Sequence, residues 1–200
     1  MKIRILTQPL GLNIGGILQN YALMKTCLKF SHDVKTLDIA YSPHFFALLI
    51  KYGACLKRLF VKIFLNRKIT VRWWLEKKID IPQNNAKISL NSHKSLRKMN
   101  LSETSFVFGS DQIWRKEMSP NIMSFFGSFL KDSTPRIAYA ASFGVDYWQF
   151  DEDETKKIIP LLKKFKAISV REESAVDLLA KRGIQAQLAL DPTLLLRPEE

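Results

Sequence analysis

Short apolar runs alternate with helical stripes along most of the chain. The run from Lys2 to Thr7 predicts a strand, and a loop with Pro9 and several glycines follows it. After that loop, apolar residues recur at helical spacing: Ile17, Tyr21, Met24 and Leu28. Later runs predict five further strands: His32 to Asp38, Phe106 to Ser110, Arg136 to Ala141, Ala167 to Val170 and Gln187 to Leu190. Alternating strands and helices predict an α/β fold with a doubly wound parallel sheet.

The segment from about residue 44 to residue 100 does not follow this alternation. Its apolar residues between positions 45 and 64 are too crowded for a thin surface stripe, so helices with a broad buried face are expected here as an insertion. Lysines interrupt the most apolar stretch, Phe45 to Leu65, so it is not expected to cross a bilayer.

Most of the formal charge of +12 lies in the same segment. Residues 51 to 100 hold thirteen Lys and Arg residues against Glu76 and Asp80. A solvated helical face explains such a charge, and so does an anionic partner such as a membrane surface or nucleic acid. No nucleic-acid reading motif accompanies the basic residues, which disfavours nucleic acid.

Composition narrows the class of protein. A chain of 200 residues with 46% hydrophobic residues is too apolar for disorder and long enough for one sizeable core. Length alone allows one large domain or two small ones. We expect a single domain over residues 1–200. Cys27 and Cys55 have no paired spacing, and the three histidines are dispersed, which argues against a disulfide scaffold or a metal site. No targeting segment is visible, so a cytoplasmic location is expected.

The predicted topology selects the candidate site residues. Ligands of an open parallel sheet bind beyond the carboxyl ends of the strands, where loops converge and helix N-termini present free N–H groups. The chemistry-bearing residues at those positions are Asn13, Gly15, Gly16, Gly109, Ser110, Asp111, Ser142, Gly144, Arg171 and Asp191.

The stretch from Gly109 to Trp114 has the composition of a sugar site. It combines a hydroxyl, the Asp111 carboxylate, the Gln112 amide and the Trp114 ring, and polyols are held by acids, amides and aromatic faces. An aspartate cap beside a core tryptophan explains the stretch equally well. Gly15 and Gly16 permit a close backbone approach, although a tight turn accounts for them too.

Arg171 is the cation whose position is most informative. It directly follows a buried strand, where a guanidinium can fork onto a carboxylate or a phosphate. The alternative is a structural ion pair with Glu172, Glu173 or Asp191.

Five ordered motifs resemble the N-terminal half of the polysaccharide pyruvyl transferase family. The motifs are Asn13 to Leu23, Phe108 to Trp114, Ile137 to Gly144, Ile168 to Ala175 and Leu190 to Leu194. The resemblance implies a Rossmann-like domain, similar to the N-terminal domain of a B-type glycosyltransferase fold. It also implies an enzyme that moves the enolpyruvyl group of phosphoenolpyruvate onto two hydroxyls of a surface-polysaccharide sugar or its lipid-linked precursor.

The resemblance also implies roles for individual residues. Arg171 would bind the donor's carboxylate or phosphate, the glycine loop and residues 109–114 would line the acceptor side, and Asp111 would be a base or an orienting acid. The donor is a substrate, and no other cofactor is implied. The family's donor-side domain would follow Glu200, so this chain is expected to be a poor catalyst alone unless a partner chain supplies that domain. A truncated, non-catalytic sugar-binding or membrane-associated module is the alternative.

Overall fold

The computed structural model describes residues 1–10, 13–39, 87–90, 93–99, 101–119 and 121–197. Within these ranges, seven strands form one sheet: β1 (Lys2–Leu6), β2 (Asp33–Ile39), β3 (Lys87–Leu90), β4 (Thr104–Phe108), β5 (Arg136–Ala141), β6 (Ala167–Val170) and β7 (Gln187–Leu188). The described helices are α1 (Ile14–Leu28), α2 (His93–Leu96), α3 (Ile122–Phe125), α4 (Glu152–Leu162), α5 (Glu173–Ala180) and a 3₁₀ helix (Pro192–Leu195).

The sheet is parallel throughout, with the strand order β3-β2-β1-β4-β5-β6-β7. The chain steps outward from β1 to β3 and then returns to the other side of β1 to start β4. Leu6, the last residue of β1, pairs with Leu37 of β2 and Phe108 of β4. The carboxyl ends of β1 and β4 therefore flank the point where the strand order reverses, which is where open α/β sheets bind ligands.

Helices cover both faces of the sheet. Ile3 and Ile5 of β1 pack with Leu23 and Met24 of α1 on one face. On the other face, residues of α4 and α5 join a core that includes Phe108 of β4. The predicted doubly wound α/β fold is thus confirmed.

Four of the predicted strands differ from the structure by one or two residues at their ends, and a seventh strand was not predicted. The strand predicted at Phe106 to Ser110 spans Thr104–Phe108, because Gly109 leaves the strand with a φ of +124°. Within the predicted helical insertion, Lys87–Leu90 forms the parallel edge strand β3. Its four residues alternate polar and apolar, but so short a pattern is a weak strand signal.

Residues 44–86 of the predicted helical insertion, which hold most of its basic residues, lie outside the described residues. Among the helices that the structure does describe, none has the length and apolar character needed to cross a membrane.

Candidate functional site

The loops after β1, β4, β5 and β6 meet at one edge of the sheet. The Thr7 hydroxyl, after β1, donates to the carbonyl of Ser110, after β4, at 2.9 Å. The backbone N–H of Ser142, after β5, donates to the carbonyl of Asp111 at 3.1 Å. Arg171, the residue after β6, donates its N–H to the carbonyl of the last residue of β5 at 3.1 Å. The parallel topology thus brings these four loops together, as the sequence predicts.

Asn13, Gly16 and Asp111 adjoin at the point where the strand order reverses. Asn13 is the N-cap residue of α1, yet its side chain makes no capping hydrogen bond. A Cβ placed on Gly16 would lie 3.4 Å from both Asn13 Nδ2 and Asp111 Oδ2. Gly15 is exposed beside them. An amide, a carboxylate and the open N-terminus of α1 therefore face the same space, without a bulky side chain at Gly15 or Gly16.

The Asp111 carboxylate is held in a defined orientation. The residue has a φ of +79° and forms an isolated parallel bridge with Ala141. Its Oδ1 accepts the backbone N–H of Gln112 at 2.8 Å. No hydrogen bond from the described residues reaches Oδ2, which is the oxygen nearer to Gly16. One carboxylate oxygen is thus anchored, and the other is available to a ligand.

Two glycines of the predicted site contribute through the backbone. A Cβ on Gly109 would lie 2.1 Å from the carbonyl oxygen of Tyr139 in β5. Gly144 has a φ of +66°, and a Cβ there would lie 2.8 Å from Cδ of Gln112. At Gly109 the neighbour is a backbone atom that cannot move aside, and at Gly144 the positive φ favours glycine. These glycines therefore shape the loops that carry Asp111 and Ser142.

Trp114 does not offer its ring to a ligand. The side chain is wholly buried, its ring stacks on Phe126 with centroids 5.5 Å apart, and Nε1 donates to the carbonyl of Phe125 at 3.0 Å. The expectation that Trp114 stacks on a sugar is therefore wrong, and the alternative of a core tryptophan is correct. The stretch from Gly109 to Trp114 resembles a sugar site in composition, but the Trp114 ring packs in the aromatic core on the face of the sheet that α4 and α5 cover.

Neither Gln112 nor Ser110 presents an open polar side chain at this edge. The Gln112 side-chain oxygen accepts from Arg115 at 3.1 Å, and its backbone carbonyl accepts from Gln8 at 2.7 Å. Ser110 is fully buried, and its hydroxyl is without a partner in the described part of the chain. Direct ligand contact by either residue therefore stays a prediction.

Arg171 is paired with two carboxylates. Its Nε lies 3.4 Å from Glu172 Oε1, and its NH1 lies 3.3 Å from Asp191 Oδ2. The structural pairing that the sequence left open is thus present. Glu172 Oε1 also accepts the hydroxyl of Ser142 at 2.6 Å, and the Ser142 hydroxyl in turn accepts the N–H of Gly144 at 2.9 Å. The loop after β5 is thereby tied to the start of α5.

Asp191 extends this network to α1. Its Oδ2 accepts a hydrogen bond from the Gln19 side-chain amide, and its Oδ1 accepts the backbone N–H of Thr193 at 3.0 Å and the Thr193 hydroxyl at 2.7 Å. Gln19 was missed by the sequence reading because its partner is far away along the chain. We call the connected side chains the Arg171 network: Ser142, Glu172, Arg171, Asp191, Gln19 and Thr193.

The Asp191 carboxylate is expected to make the free energy of unfolding depend on pH in the acid range. Burial raises the pKa of Asp191, but hydrogen bonds from Thr193, Gln19 and Arg171 outweigh it and hold the pKa below its ordinary value. A depressed folded-state pKa stabilises the fold above the unfolded-state pKa of about 4, and this contribution is lost as the pH falls through the folded-state value.

We therefore expect Asp191→Asn to lower the free energy of unfolding at pH 7 by about 1 kcal/mol, the value of a typical hydrogen bond. This deficit should shrink as the pH is lowered below about 4. Urea unfolding of both proteins across the acid range measures it. Because other aspartates also titrate there, the difference between variant and wild type is the relevant quantity. A deficit that grew on acidification would contradict the pairing.

Cavities also lie away from the carboxyl ends of the strands. One, of about 940 Å³, is at the opposite edge and is lined by residues that include Arg97, Thr104 and Lys131. Another, of about 960 Å³, lies beside β5, β6 and α5. We place the site where the carboxyl ends of the strands meet, which we call the carboxyl edge. The anchored Asp111 carboxylate and the start of α1 converge there, whereas neither cavity lining includes these groups.

Comparison with protein families decides the class of this chain. The model of the family described as polysaccharide pyruvyl transferase matches residues 13–200. The chain belongs to the polysaccharide pyruvyl transferase family. It matches none of the curated proteins and none of the solved structures compared with it. The matched region contains the candidate site residues from Asn13 to Asp191.

Proposed function

We propose that this polysaccharide pyruvyl transferase moves pyruvate, as a ketal, from phosphoenolpyruvate onto two hydroxyls of one sugar. The sugar would belong to a cell-surface polysaccharide or to its lipid-linked precursor. Membership of the family supports the transferase class. The adjoining amide, carboxylate and helix start at the carboxyl edge support a polyol acceptor there.

The reaction balances with these two substrates alone. Two sugar oxygens form bonds to C2 of the enolpyruvyl group, and the bond from C2 to the phosphate oxygen breaks. One hydroxyl proton ends on the terminal carbon, which becomes the methyl group, and the other leaves with the phosphate. A carboxylate within hydrogen-bond reach of a hydroxyl can accept its proton as the new bond forms.

The observation that carries the proposal is the position of Asp111. Its Oδ1 is anchored by a backbone N–H, and its Oδ2 lies near Gly16 and the side chain of Asn13, which makes no capping hydrogen bond to α1. A sugar hydroxyl bound in this space can donate to Oδ2 while a second hydroxyl contacts Asn13. We assign the proton-accepting role to Asp111 on this basis.

The test is incubation of the purified chain with phosphoenolpyruvate and a panel of bacterial surface glycans. Released phosphate is measured together with the ketal methyl signal by NMR. We expect slow phosphate release that requires the glycan and matches the ketal formed. Glycan binding without phosphate release would favour the non-catalytic module. The absence of both glycan binding and phosphate release would contradict the proposal.

One observation favours the sugar-binding alternative. Arg171, which the family resemblance assigns to the donor, is already paired with Glu172 and Asp191. A module that holds only the sugar would need no free guanidinium at this position.

For both functions we propose that the protein lies at the inner face of the membrane, based on the basic residues between positions 51 and 100.

A further inference from the structure

The Arg115 guanidinium lies beside the two loops that carry Asp111 and Ser142. Gln112 links it to the first loop, because the Gln112 side-chain oxygen accepts from Arg115 NH1 at 3.1 Å and the Gln112 backbone N–H donates to Asp111 Oδ1 at 2.8 Å. The second loop passes close to Arg115 at Gly144, where a Cβ would lie 3.0 Å from Arg115 Cδ. The position of this cation is therefore fixed next to the candidate site.

The charge of Arg115 is weakly compensated in the described part of the chain. NH1 contacts the neutral amide of Gln112, and NH2 lies 3.5 Å from Glu117 Oε2. The Glu117 side chain is 75% exposed, and exposed ion pairs contribute little free energy. Arg4 and Asp33, by comparison, approach to 2.8 Å. Among the described carboxylates, Glu117 is thus the one with which an anionic ligand of Arg115 competes.

The terminal nitrogens of Arg115 retain hydrogen-bond donors. A guanidinium has five N–H donors, and two of them have partners here, Gln112 Oε1 and Glu117 Oε2. Nε is buried without a partner among the described residues, so a ligand does not reach it. About 30% of the side chain is exposed, and one further N–H remains on each terminal nitrogen. Phosphate and carboxylate groups accept two such hydrogen bonds side by side.

The chain that follows β2 supports the same chemistry. Positions 40–86 lie outside the described residues, and in the sequence they hold nine Lys and Arg residues against Glu76 and Asp80. A segment of this composition offers few carboxylates that could pair with Arg115. Its net positive charge attracts anions and does not repel them.

We propose that Arg115 contacts a phosphate or carboxylate group of a substrate bound at the carboxyl edge. The group can come from the donor, phosphoenolpyruvate, or from an acceptor sugar that is acidic or carries a phosphate. Because Gln112 connects Arg115 to Asp111, the contact places the anionic substrate beside the proposed proton acceptor. The inference rests on the proposed function, since it requires that a substrate binds at this edge. It adds a contact and leaves the role that the resemblance gives Arg171 as it is.

Arg115→Gln tests the inference in the full chain. Dissociation constants are measured by NMR titration for phosphoenolpyruvate, glucose 1-phosphate and the methyl α-glycosides of glucuronic acid, glucose, galactose and mannose. Lys116→Gln is the matched control, because it removes a positive charge from the next residue, whose Nζ is paired with Glu154 at 2.6 Å.

We expect Arg115→Gln to weaken binding of at least one anionic probe tenfold or more. The affinity for the neutral glycosides should change less than twofold, and Lys116→Gln should change every affinity less than twofold. Arg115→Lys should restore only part of the loss, since an ammonium keeps the charge without the fork of donors. A loss confined to phosphoenolpyruvate assigns the contact to the donor, and a loss confined to glucuronide or glucose 1-phosphate assigns it to the acceptor.

Glu117→Gln provides a second variant if Arg115→Gln fails to fold. It removes the competing carboxylate at a well-exposed position, so binding of the same anionic probe should tighten at least twofold. Glu152→Gln, at an exposed position on α4, controls for the change in net charge. In that case an unchanged affinity in Glu117→Gln would overturn the inference.

The possible outcomes separate this inference from the proposed function. If the wild type binds anionic probes and Arg115→Gln binds them equally well, the inference is wrong and the proposed function stands. An equal loss for neutral and anionic probes would show a structural role and overturn it as well. A wild type that binds a neutral glycoside but no anionic probe would also overturn it. If the wild type binds none of the probes, the proposed function fails at this edge, and the inference fails with it.

Discussion

Gly109→Ala is expected to lower the free energy of unfolding by about 3 kcal/mol or more. The new Cβ would lie 2.1 Å from the carbonyl oxygen of Tyr139, a backbone atom of the neighbouring strand. Gly109 also has a φ of +124°, which a residue with a side chain rarely adopts. The chain can relieve the contact only by separating the ends of β4 and β5, where the sheet core begins. Urea unfolding monitored by circular dichroism measures the loss.

Gly183→Ala is the matched control for this substitution. Gly183 follows α5 with a φ of +69°, but no atom lies within 4 Å of the position of its Cβ. Only the cost of the left-handed conformation remains, about 1 to 2 kcal/mol. Equal losses for the two variants would show that the close approach of Gly109 to Tyr139 is not a feature of the folded protein.

Asp111→Asn is expected to reduce ketal formation by about 100-fold or more, the typical contribution of a positioned proton acceptor. The fold should tolerate the change, since asparagine has the same shape and accommodates a positive φ such as the +79° at this position. The amide oxygen can still accept the N–H of Gln112. We expect the free energy of unfolding to change by less than about 0.5 kcal/mol.

Asp177→Asn, at an exposed position on α5, controls for the change in net charge. Rates of ketal formation for wild type and both variants are compared under the same conditions. An Asp111→Asn protein as active as the Asp177→Asn control would remove Asp111 from the chemistry. It would leave the sheet edge as a binding surface alone.

The sequence alone predicts the parallel sheet, and with it the edge at which the strands' carboxyl ends meet. Short apolar runs separated by helical stripes are a strong local signal, and parallel topology alone places all carboxyl ends together. The α5 helix is an example of such a local signal. Its apolar residues Ala175, Leu178 and Leu179 recur at helical spacing and are buried, and Gly183 adopts a left-handed conformation just after the helix. Strand β3 was missed because four residues are too few to show a period.

The roles of individual site residues were harder to predict, because they depend on tertiary contacts. The sequence near Trp114 does not show whether the ring faces a ligand or the core, and stacking on Phe126 settles this in the folded chain. Arg171 could be identified by its position after a strand, but its pairing with Asp191 depends on the path of the chain after β7, which places Asp191 beside Arg171. Gln19 carries no local signal, because its hydrogen bond is to the same distant residue, Asp191.

The proposed acceptor site lies at the carboxyl ends of the strands, between the loops after β1 and β4. An amide chemical-shift map of the labelled chain, recorded during titration with the glycoside that binds most tightly, tests this position. We expect the largest shifts at Gly15, Gly16 and Asp111, and we expect Asp111→Asn to weaken binding while the same residues shift. Shifts concentrated instead around Thr104 and Lys131, which line the cavity at the opposite edge, would contradict it.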